Sequence, residues 1–215
     1  MNCKNRNTLI AFCSLLLLSF SATAQVRFGV RAGAGYSSIT QKIDGKYDAG
    51  ARLGYSAGFL CEVPIKGHLS FRPELLFLCQ GGNYQSRRYE QEAGLTAPQV
   101  KACSYGVQLP ANFAYNIPLE DMRLSLLAGP VLDYSLFGDM TYGGSAHPLL
   151  LGTKETDDFQ PVNFSINIGL AAEYKDLFFQ VNATLGLTDR QASSFEDESA
   201  LLQNNVGFSV GYFFH

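Results

Sequence analysis

Apolar and polar residues alternate with a period of two through most of the chain after residue 24. The pattern is clearest in residues 51–82, ARLGYSAGFLCEVPIKGHLSFRPELLFLCQGG, where an apolar face continues on both sides of a turn at Lys66-Gly67-His68. Such alternation is typical of β-strands with one apolar face. Both strands exceed the five or six residues usual in globular proteins, so this hairpin is predicted to cross a membrane with its apolar face toward lipid.

The same pattern predicts six further strands, at residues 26–39, 103–117, 122–137, 159–174, 177–188 and 204–214. Polar segments predict long loops at residues 40–50, 83–101, 138–158 and 189–203, and the other connections are short turns. Regular alternation of long and short connections is the layout of an even-stranded outer-membrane barrel. The predicted fold class is all-β, an eight-stranded, closed, antiparallel up-and-down transmembrane β-barrel of OmpA/OmpX-like architecture.

A soluble lipocalin-like barrel is the alternative, and it would turn its apolar face inward around a ligand. Charged residues make up only 16% of the chain, against roughly 25% in soluble domains. The polar face therefore has too few charges for a solvent-facing surface, which favours the membrane barrel. The formal net charge of −3 gives no indication of nucleic-acid binding.

Residues 1–24 have a different pattern from the rest. Lys4 and Arg6 precede an apolar run at residues 9–20, and Ala22-Thr23-Ala24 has the form of a cleavage site. These features predict a cleaved secretory signal peptide, followed by the barrel domain at residues 25–215. No later run approaches the ~20 residues of a transmembrane helix. We therefore expect the mature chain in the outer membrane, with both termini on the periplasmic, short-turn side.

Aromatic residues fit two belts at the membrane interfaces, where such side chains collect in barrels of this kind. The chain has no tryptophan, so tyrosine and phenylalanine must form both belts. The predicted belts are Tyr36, Tyr55, Tyr105 and Tyr134 toward the long loops, and Phe28, Phe71, Tyr115, Tyr174, Tyr212 and Phe214 toward the short turns.

Several segments resemble one family of outer-membrane proteins. FRPELLFLCQGG resembles the P-E-L-L-Y-x-x-x-G strand of the PorT-like outer-membrane β-barrel family, YGVQLPANFAY its L-x-x-P strand and LLAGPVLDYSL its A-G-P strand. NFSINIGLAAEY and GLTD are similar to its sixth strand and to the end of its seventh. This ordered set covers nearly all of residues 25–215. The resemblance implies an eight-stranded outer-membrane barrel, and the family's named member takes part in protein secretion and gliding-type machinery.

Nine charged residues fall on the predicted inner face, and an eight-stranded interior has room only for side chains. Unpaired charges there would cost several kcal/mol each, so we expect ion pairs. A three-residue loop at residues 66–68 sets Glu62 opposite Arg72, which predicts an ion pair between them. We interpret the set as a structural polar plug, with a gated proton or ion path as the alternative. The nine are Arg27, Arg31, Arg52, Glu62, Arg72, Glu74, Arg123, Asp133 and Glu173.

Two groups of residues do not fit a regular barrel wall without further explanation. Pro73, Pro110 and Pro130 fall inside predicted strands, where each removes a ladder hydrogen bond unless it lies at an irregularity. Cys61, Cys79 and Cys103 remain after signal-peptide removal, and an odd number excludes a closed disulfide framework. Cys79 and Cys103 flank one loop, and they either pair with each other or act as lipid-facing free thiols.

No motif predicts catalysis, a cofactor or a metal. His68, His147 and His215 lie outside the predicted strands, with no acidic partner at a suitable spacing and no clustering. Arg87 and Arg88 either contact lipopolysaccharide phosphates or belong to a solvated loop.

The predicted function is structural or interaction-based, exerted through the long extracellular loops or an envelope complex. The alternatives are a small porin or channel, and a component of a secretion or gliding machinery. Expected partners are outer-membrane lipid and lipopolysaccharide, the barrel-assembly machinery during insertion, and an envelope protein. No nucleic-acid partner is expected, and the barrel is predicted to be a monomer.

Overall fold

The computed structural model of the chain describes residues 26–43, 46–85, 99–154, 156–192 and 200–214. The predicted signal peptide, Arg87, Arg88 and His215 lie outside these ranges. Within them, no helix is long and apolar enough to cross a membrane. The strands are β1 (Arg27–Ile43), β2 (Lys46–Lys66), β3 (Leu69–Gln85), β4 (Gln99–Pro118), β5 (Met122–Tyr142), β6 (Ser145–Pro148), β7 (Val162–Tyr174), β8 (Leu177–Gly186) and β9 (Leu202–Phe214).

Eight of these strands form a closed antiparallel barrel, as predicted. In the barrel, β1 pairs with β2, β2 with β3, β3 with β4, and β4 with β5. Next, β5 pairs with β7, β7 with β8, and β8 with β9. Pairing of β9 with β1 closes the sheet. The short strand β6 pairs with the upper part of β5. We call the end that carries the turns at residues 67–68, 119–121 and 175–176 the short-turn end, and the opposite end the long-loop end.

The apolar face of each strand lies on the outside of the barrel. On β7, Ile166 and Ile168 are 44% and 52% exposed, whereas Ser165 and Asn167 between them are 2% and 4% exposed. Apolar exposure that repeats along every barrel strand suits a lipid environment. The polar interior is the reverse of a lipocalin, so the soluble alternative is wrong.

Most strands extend further at the long-loop end than the alternation predicts, whereas β7 begins at Val162 rather than at residue 159 and β8 ends at Gly186 rather than at residue 188. The β1–β2 ladder continues to the pair Ile43–Lys46, so most of the loop predicted at residues 40–50 is strand. Likewise β3 and β4 reach the pair Gln85–Gln99, and β5 continues to Tyr142 before a hairpin into β6. Above the lipid, a strand needs no apolar outer face, so the backbone ladder continues after the alternation has ended.

The turn between β2 and β3 has two residues rather than the predicted three. Lys66 pairs with Leu69, and Gly67 takes a φ of +58°, which suits glycine. A register shift between Pro64 and Lys66 takes up the extra residue. The pairs Leu60–Glu74 and Gly58–Leu76 therefore have the register that a three-residue turn would also give, whereas Gly54 lies in a second register shift between Gly50 and Tyr55.

Each of the three prolines predicted to fall inside strands lies beside a break in one ladder. Pairing of β2 with β3 is interrupted at Pro73, of β3 with β4 at Pro110, and of β4 with β5 at Pro130. On its other side, each proline is paired, Pro73 with Ala111, Pro110 with Val131 and Pro130 with Ile166. Proline lacks the N–H that a second ladder would need. The closed barrel accommodates all three prolines by leaving that ladder open at each of them.

Candidate functional site

The structure places the nine predicted charged residues on the inner face of the wall. Asp133 lies in the half toward the long loops. Arg52 is half-buried opposite Ser37, with no ion pair in the described part of the chain. The other seven meet near the short-turn end, and we call them the lower cluster: Arg27, Arg31, Glu62, Arg72, Glu74, Arg123 and Glu173.

Arg123 is the centre of the lower cluster. Its Nη1 donates to Glu62 Oε1 at 2.5 Å, and its Nη2 donates to Glu62 Oε2 at 3.0 Å and to Glu173 Oε2 at 2.5 Å. Arg27 Nη2 donates to the other oxygen of Glu173 at 2.5 Å. The predicted ion pair between Glu62 and Arg72 is therefore wrong. Arg123 on β5 reaches Glu62 on β2 across the lumen, because the interior of an eight-stranded barrel is narrow enough for long side chains to meet.

Glu74 is the acceptor of a second group of donors. Arg31 Nε donates to Glu74 Oε2 at 2.6 Å, and Asn112 Nδ2 donates to Oε1 at 3.4 Å. Arg72 Nε lies 3.8 Å from Glu74 Oε1, too far for a hydrogen bond but close enough for an ion pair. The carboxylate of Glu74 therefore holds two buried guanidinium groups at once.

Aromatic side chains complete the filling at this level. Phe178 and Phe213 are fully buried, with ring centroids 5.1 Å apart, and both pack against Leu60. The guanidinium carbon of Arg72 lies 4.5 Å from the ring centre of Phe178, and that of Arg27 lies 4.0 Å from the ring centre of Phe213. These are cation–π distances. Ion pairs and aromatic rings together occupy the cross-section near the short-turn end.

Neutral polar side chains line the middle of the lumen. Asn167 Nδ2 donates to Asn112 Oδ1 at 2.9 Å, and Thr184 Oγ1 donates to Asn167 Oδ1 at 3.4 Å. Glycine and small polar residues leave a cavity of about 60 Å³ here, bordered by Arg31, Gly33, Gln108, Asn182, Thr184 and Asn205. Its lining is partly polar and partly apolar, with Leu78 and Tyr55 also at its border, and its volume is enough for a few ordered waters.

A second charged group lies toward the long loops. Asp133 accepts hydrogen bonds from Gln108 Nε2 at 2.8 Å and from Asn163 Nδ2 at 2.9 Å. Arg190 is completely buried nearby, where its Nη2 donates to Ser135 Oγ at 2.7 Å and its Nη1 to Gln203 Oε1 at 3.1 Å. Burial lowers the pKa of Arg190 to about 10, and the negative charge of Asp133 opposes that fall.

Sequence reasoning missed Arg190, because it lies in a segment predicted to be a polar loop. In the structure, Arg190 is buried beneath a hydrophobic core, which no pattern in the sequence indicates. Arg190 lies 5.1 Å from the ring centre of Phe159, which packs against Tyr84 at 5.6 Å. We call this core the upper core, and it comprises Ile39, Tyr84, Val100, Ala102, Met140, Tyr142, Leu149, Phe159 and Leu201.

Two of the candidate histidines lie against aromatic rings. The His68 ring lies 5.9 Å from Tyr115, and the His147 ring stacks on Tyr142 at 4.2 Å. Among the residues that the structure describes, no three His, Cys, Asp or Glu side chains are grouped to hold a metal ion. The candidate site is therefore the filled lumen together with the surface at the long-loop end.

Solved structures with a similar arrangement are outer-membrane barrels. Neisserial surface protein A is 13% identical with a TM-score of 0.44, and the match covers 87% of this chain and 97% of that one. The N-terminal β-barrel domain of Pseudomonas aeruginosa OprF is 11% identical with a TM-score of 0.42, covering 89% and 100%. Ail of Yersinia pestis, in complex with the heparin analogue sucrose octasulfate, is 11% identical with a TM-score of 0.43, covering 88% and 99%.

Sequence comparison identifies the family more directly. No curated protein matches the chain. The family model for the outer membrane protein beta-barrel domain matches residues 19–191, which is most of the 215 residues. The chain belongs to the family of the outer membrane protein beta-barrel domain, and it is an outer-membrane β-barrel protein.

Proposed function

We propose that this barrel is an interaction protein, which presents its long-loop end outside the cell and does not conduct solutes or catalyse a reaction. The observation that carries the proposal is that side chains fill the lumen at two separate levels. The lower cluster and its aromatic rings fill the short-turn end, and the upper core with Arg190 covers the other end. The cavity of about 60 Å³ lies between these levels.

The described part of the long-loop end is well packed. Asp158 Oδ2 accepts from the Leu150 backbone N–H at 2.7 Å, and Asp189 Oδ1 accepts from the Leu201 backbone N–H at 2.9 Å. These bonds join Leu150 to Asp158 and Leu201 to Asp189, next to the upper core residues Leu149, Phe159 and Leu201. A surface held in one conformation loses little entropy when it binds a partner, which favours recognition.

The orientation of the barrel is part of the proposal. Short turns on the periplasmic side and longer connections outside are the rule for barrels of this type. The predicted signal peptide and the two strand ends at the short-turn end agree with periplasmic termini. The long-loop end would then contact lipopolysaccharide and cell-surface or envelope proteins.

The second candidate is a component of a protein-secretion or gliding-type machinery, and it rests on the PorT-like resemblance of segments such as FRPELLFLCQGG and YGVQLPANFAY. A machinery component would contact envelope proteins on the periplasmic side, so its partners would meet the short-turn end. The two candidates therefore differ in which end of the barrel is occupied.

Site-directed photo-crosslinking in intact cells separates the two candidates. A photoreactive amino acid replaces Leu150 at the long-loop end or Leu119 at the short-turn end, two side chains with similar exposure of 47% and 50%. Ile168 on the lipid-facing wall is the control position. We expect discrete adducts from position 150 that position 168 does not give. Protein adducts from position 119 alone would favour the machinery component, and adducts from neither end would reject both.

A further inference from the structure

Two cysteines lie side by side on neighbouring strands of the barrel wall. In the β3–β4 ladder, Cys79 is opposite Tyr105 and Cys103 is opposite Gly81, so the cysteines are diagonal neighbours. Their Sγ atoms are 3.0 Å apart, and both are free thiols. A disulfide requires an S–S distance near 2.05 Å. Closing the remaining ångström is within the reach of side-chain torsions.

The surroundings of this pair differ from those of an ordinary lipid-facing thiol. Cys79 lies on the outer face between Tyr55 and Tyr105 of the two neighbouring strands, yet it is only 6% exposed. Tyr105, directly opposite, stacks on Phe137 with a centroid distance of 5.0 Å. Aromatic residues therefore flank the pair toward the long-loop end, although Cys103 itself is only half-buried.

The third cysteine is a natural internal control. Cys61 on β2 pairs with Phe28 on β1, close to the short-turn end. Cys79 is opposite Tyr55 on β2, six residues before Cys61 in the chain. Of these three cysteines, Cys79 and Cys103 therefore lie side by side, and Cys61 lies apart from them.

We propose that Cys79 and Cys103 form a disulfide in the cell envelope, while Cys61 stays reduced. Export places the chain in an oxidising compartment, where disulfides form and persist. The oxidant is an envelope protein that carries an exchangeable disulfide. One cysteine thiolate attacks that disulfide to form a mixed disulfide, and the second thiolate displaces the oxidant. The barrel loses two protons and two electrons, and the oxidant is reduced to a dithiol.

The disulfide has a defined structural role. Toward the long-loop end, the β3–β4 ladder continues beyond the cysteines to the pair Gln85–Gln99. A disulfide at this position links β3 to β4 and closes a loop of about 25 residues. Closing the loop reduces the conformational entropy of the unfolded chain. Reduction should therefore lower the thermal unfolding midpoint of the purified barrel by several degrees.

Sequential thiol labelling of the protein in cells tests the proposal. Cells are quenched in acid, the barrel is denatured in detergent, and free thiols receive a first alkylating label. Reduction is followed by a second label of different mass, and peptides are identified by mass spectrometry. We expect the first label on Cys61 and the second on Cys79 and Cys103. First label on both Cys79 and Cys103 in the wild-type protein would overturn the proposal.

Variants then show that the bond joins this pair. In Cys79→Ser, Cys103 should move to the first label, whereas in Cys61→Ser both remaining cysteines should keep the second label. The control variant should also keep the reductant-dependent thermal shift. A second label on Cys103 in Cys79→Ser would mean another partner, and it would overturn the pairing. If Cys79→Ser does not accumulate, the wild-type labelling still decides the outcome.

Discussion

Arg123 is the residue whose removal tests the account of the lumen most sharply. It makes three short hydrogen bonds to two carboxylates, Glu62 and Glu173. Replacing it with methionine keeps much of the side-chain volume and removes the charge. Among the described residues, Glu62, 1% exposed, would then keep one long hydrogen bond, from Asn116 Nδ2 at 3.5 Å, and the Coulombic attraction of Arg72. Glu173 would keep the guanidinium of Arg27. The cost of the substitution therefore arises mainly at Glu62.

The size of the effect follows from these contacts. Hydrogen bonds to charged groups contribute about 1.5–3 kcal/mol each. Part of that contribution is offset, because desolvation of Arg123 is no longer needed. Breaking a buried ion pair by removing one partner typically costs about 3–5 kcal/mol. We expect Arg123→Met to lower the free energy of unfolding by that amount, and Glu62→Gln in the same background to restore part of it.

Double-mutant cycles give the decisive comparison. The barrel is refolded into lipid vesicles and unfolded with urea, and folding is followed by tyrosine fluorescence and gel mobility because the chain has no tryptophan. We expect a coupling energy between Glu62 and Arg123 in the upper part of the usual range of about 0.5–3 kcal/mol. Coupling between Glu62 and Arg72 should be smaller. The reverse order would refute the assignment of Glu62 to Arg123.

Three further predictions concern the wall and the upper core, and urea unfolding measures each of them. Gly35 and Gly207 face each other in the β1–β9 ladder. A Cβ atom added to Gly35 would lie 2.2 Å from a backbone oxygen, whereas a Cβ atom added to Gly207 would lie 3.5 Å from the nearest atom. Gly35→Ala should therefore cost about 1–3 kcal/mol, and Gly207→Ala should be nearly neutral; equal costs would contradict this packing. Ile168→Arg on the lipid face should cost about 2–4 kcal/mol, and no cost would mean that this face does not meet lipid. Phe159→Ala should cost about 3–5 kcal/mol, with faster hydrogen exchange confined to the long-loop end; faster exchange throughout the barrel would contradict a separate upper core.

The sequence predicts the part of the fold that the membrane dictates. Residues such as Ser165 and Ile166 must point to opposite faces of a strand, and only one face can meet lipid, so alternation defines the strand and its orientation. Beyond the lipid this constraint ends. The β1–β2 ladder continues by backbone pairing up to Ile43 and Lys46, and no apolar–polar alternation in the sequence marks it. The predicted loop at residues 40–50 was wrong for this reason.

The lumen is harder to predict, because its contacts do not follow strand neighbours. A register gives only the residues opposite each other on adjacent strands, which led to the pair Glu62–Arg72. The ion pairs of Glu62 with Arg123 and of Glu74 with Arg31 join strands that are not adjacent. They depend on how far arginine side chains extend across a narrow interior. The cross-strand pair Arg123–Glu173, by contrast, follows from the β5–β7 register.

Planar-bilayer recording tests the central claim most directly, since the account requires a lumen that is filled at both levels. The refolded barrel is reconstituted, and protease protection in vesicles first establishes that it has inserted. A filled lumen predicts no stable unitary conductance from the inserted wild-type protein across a range of voltages. A reproducible conductance step that depends on the inserted barrel would contradict the filled lumen and would make the protein a channel.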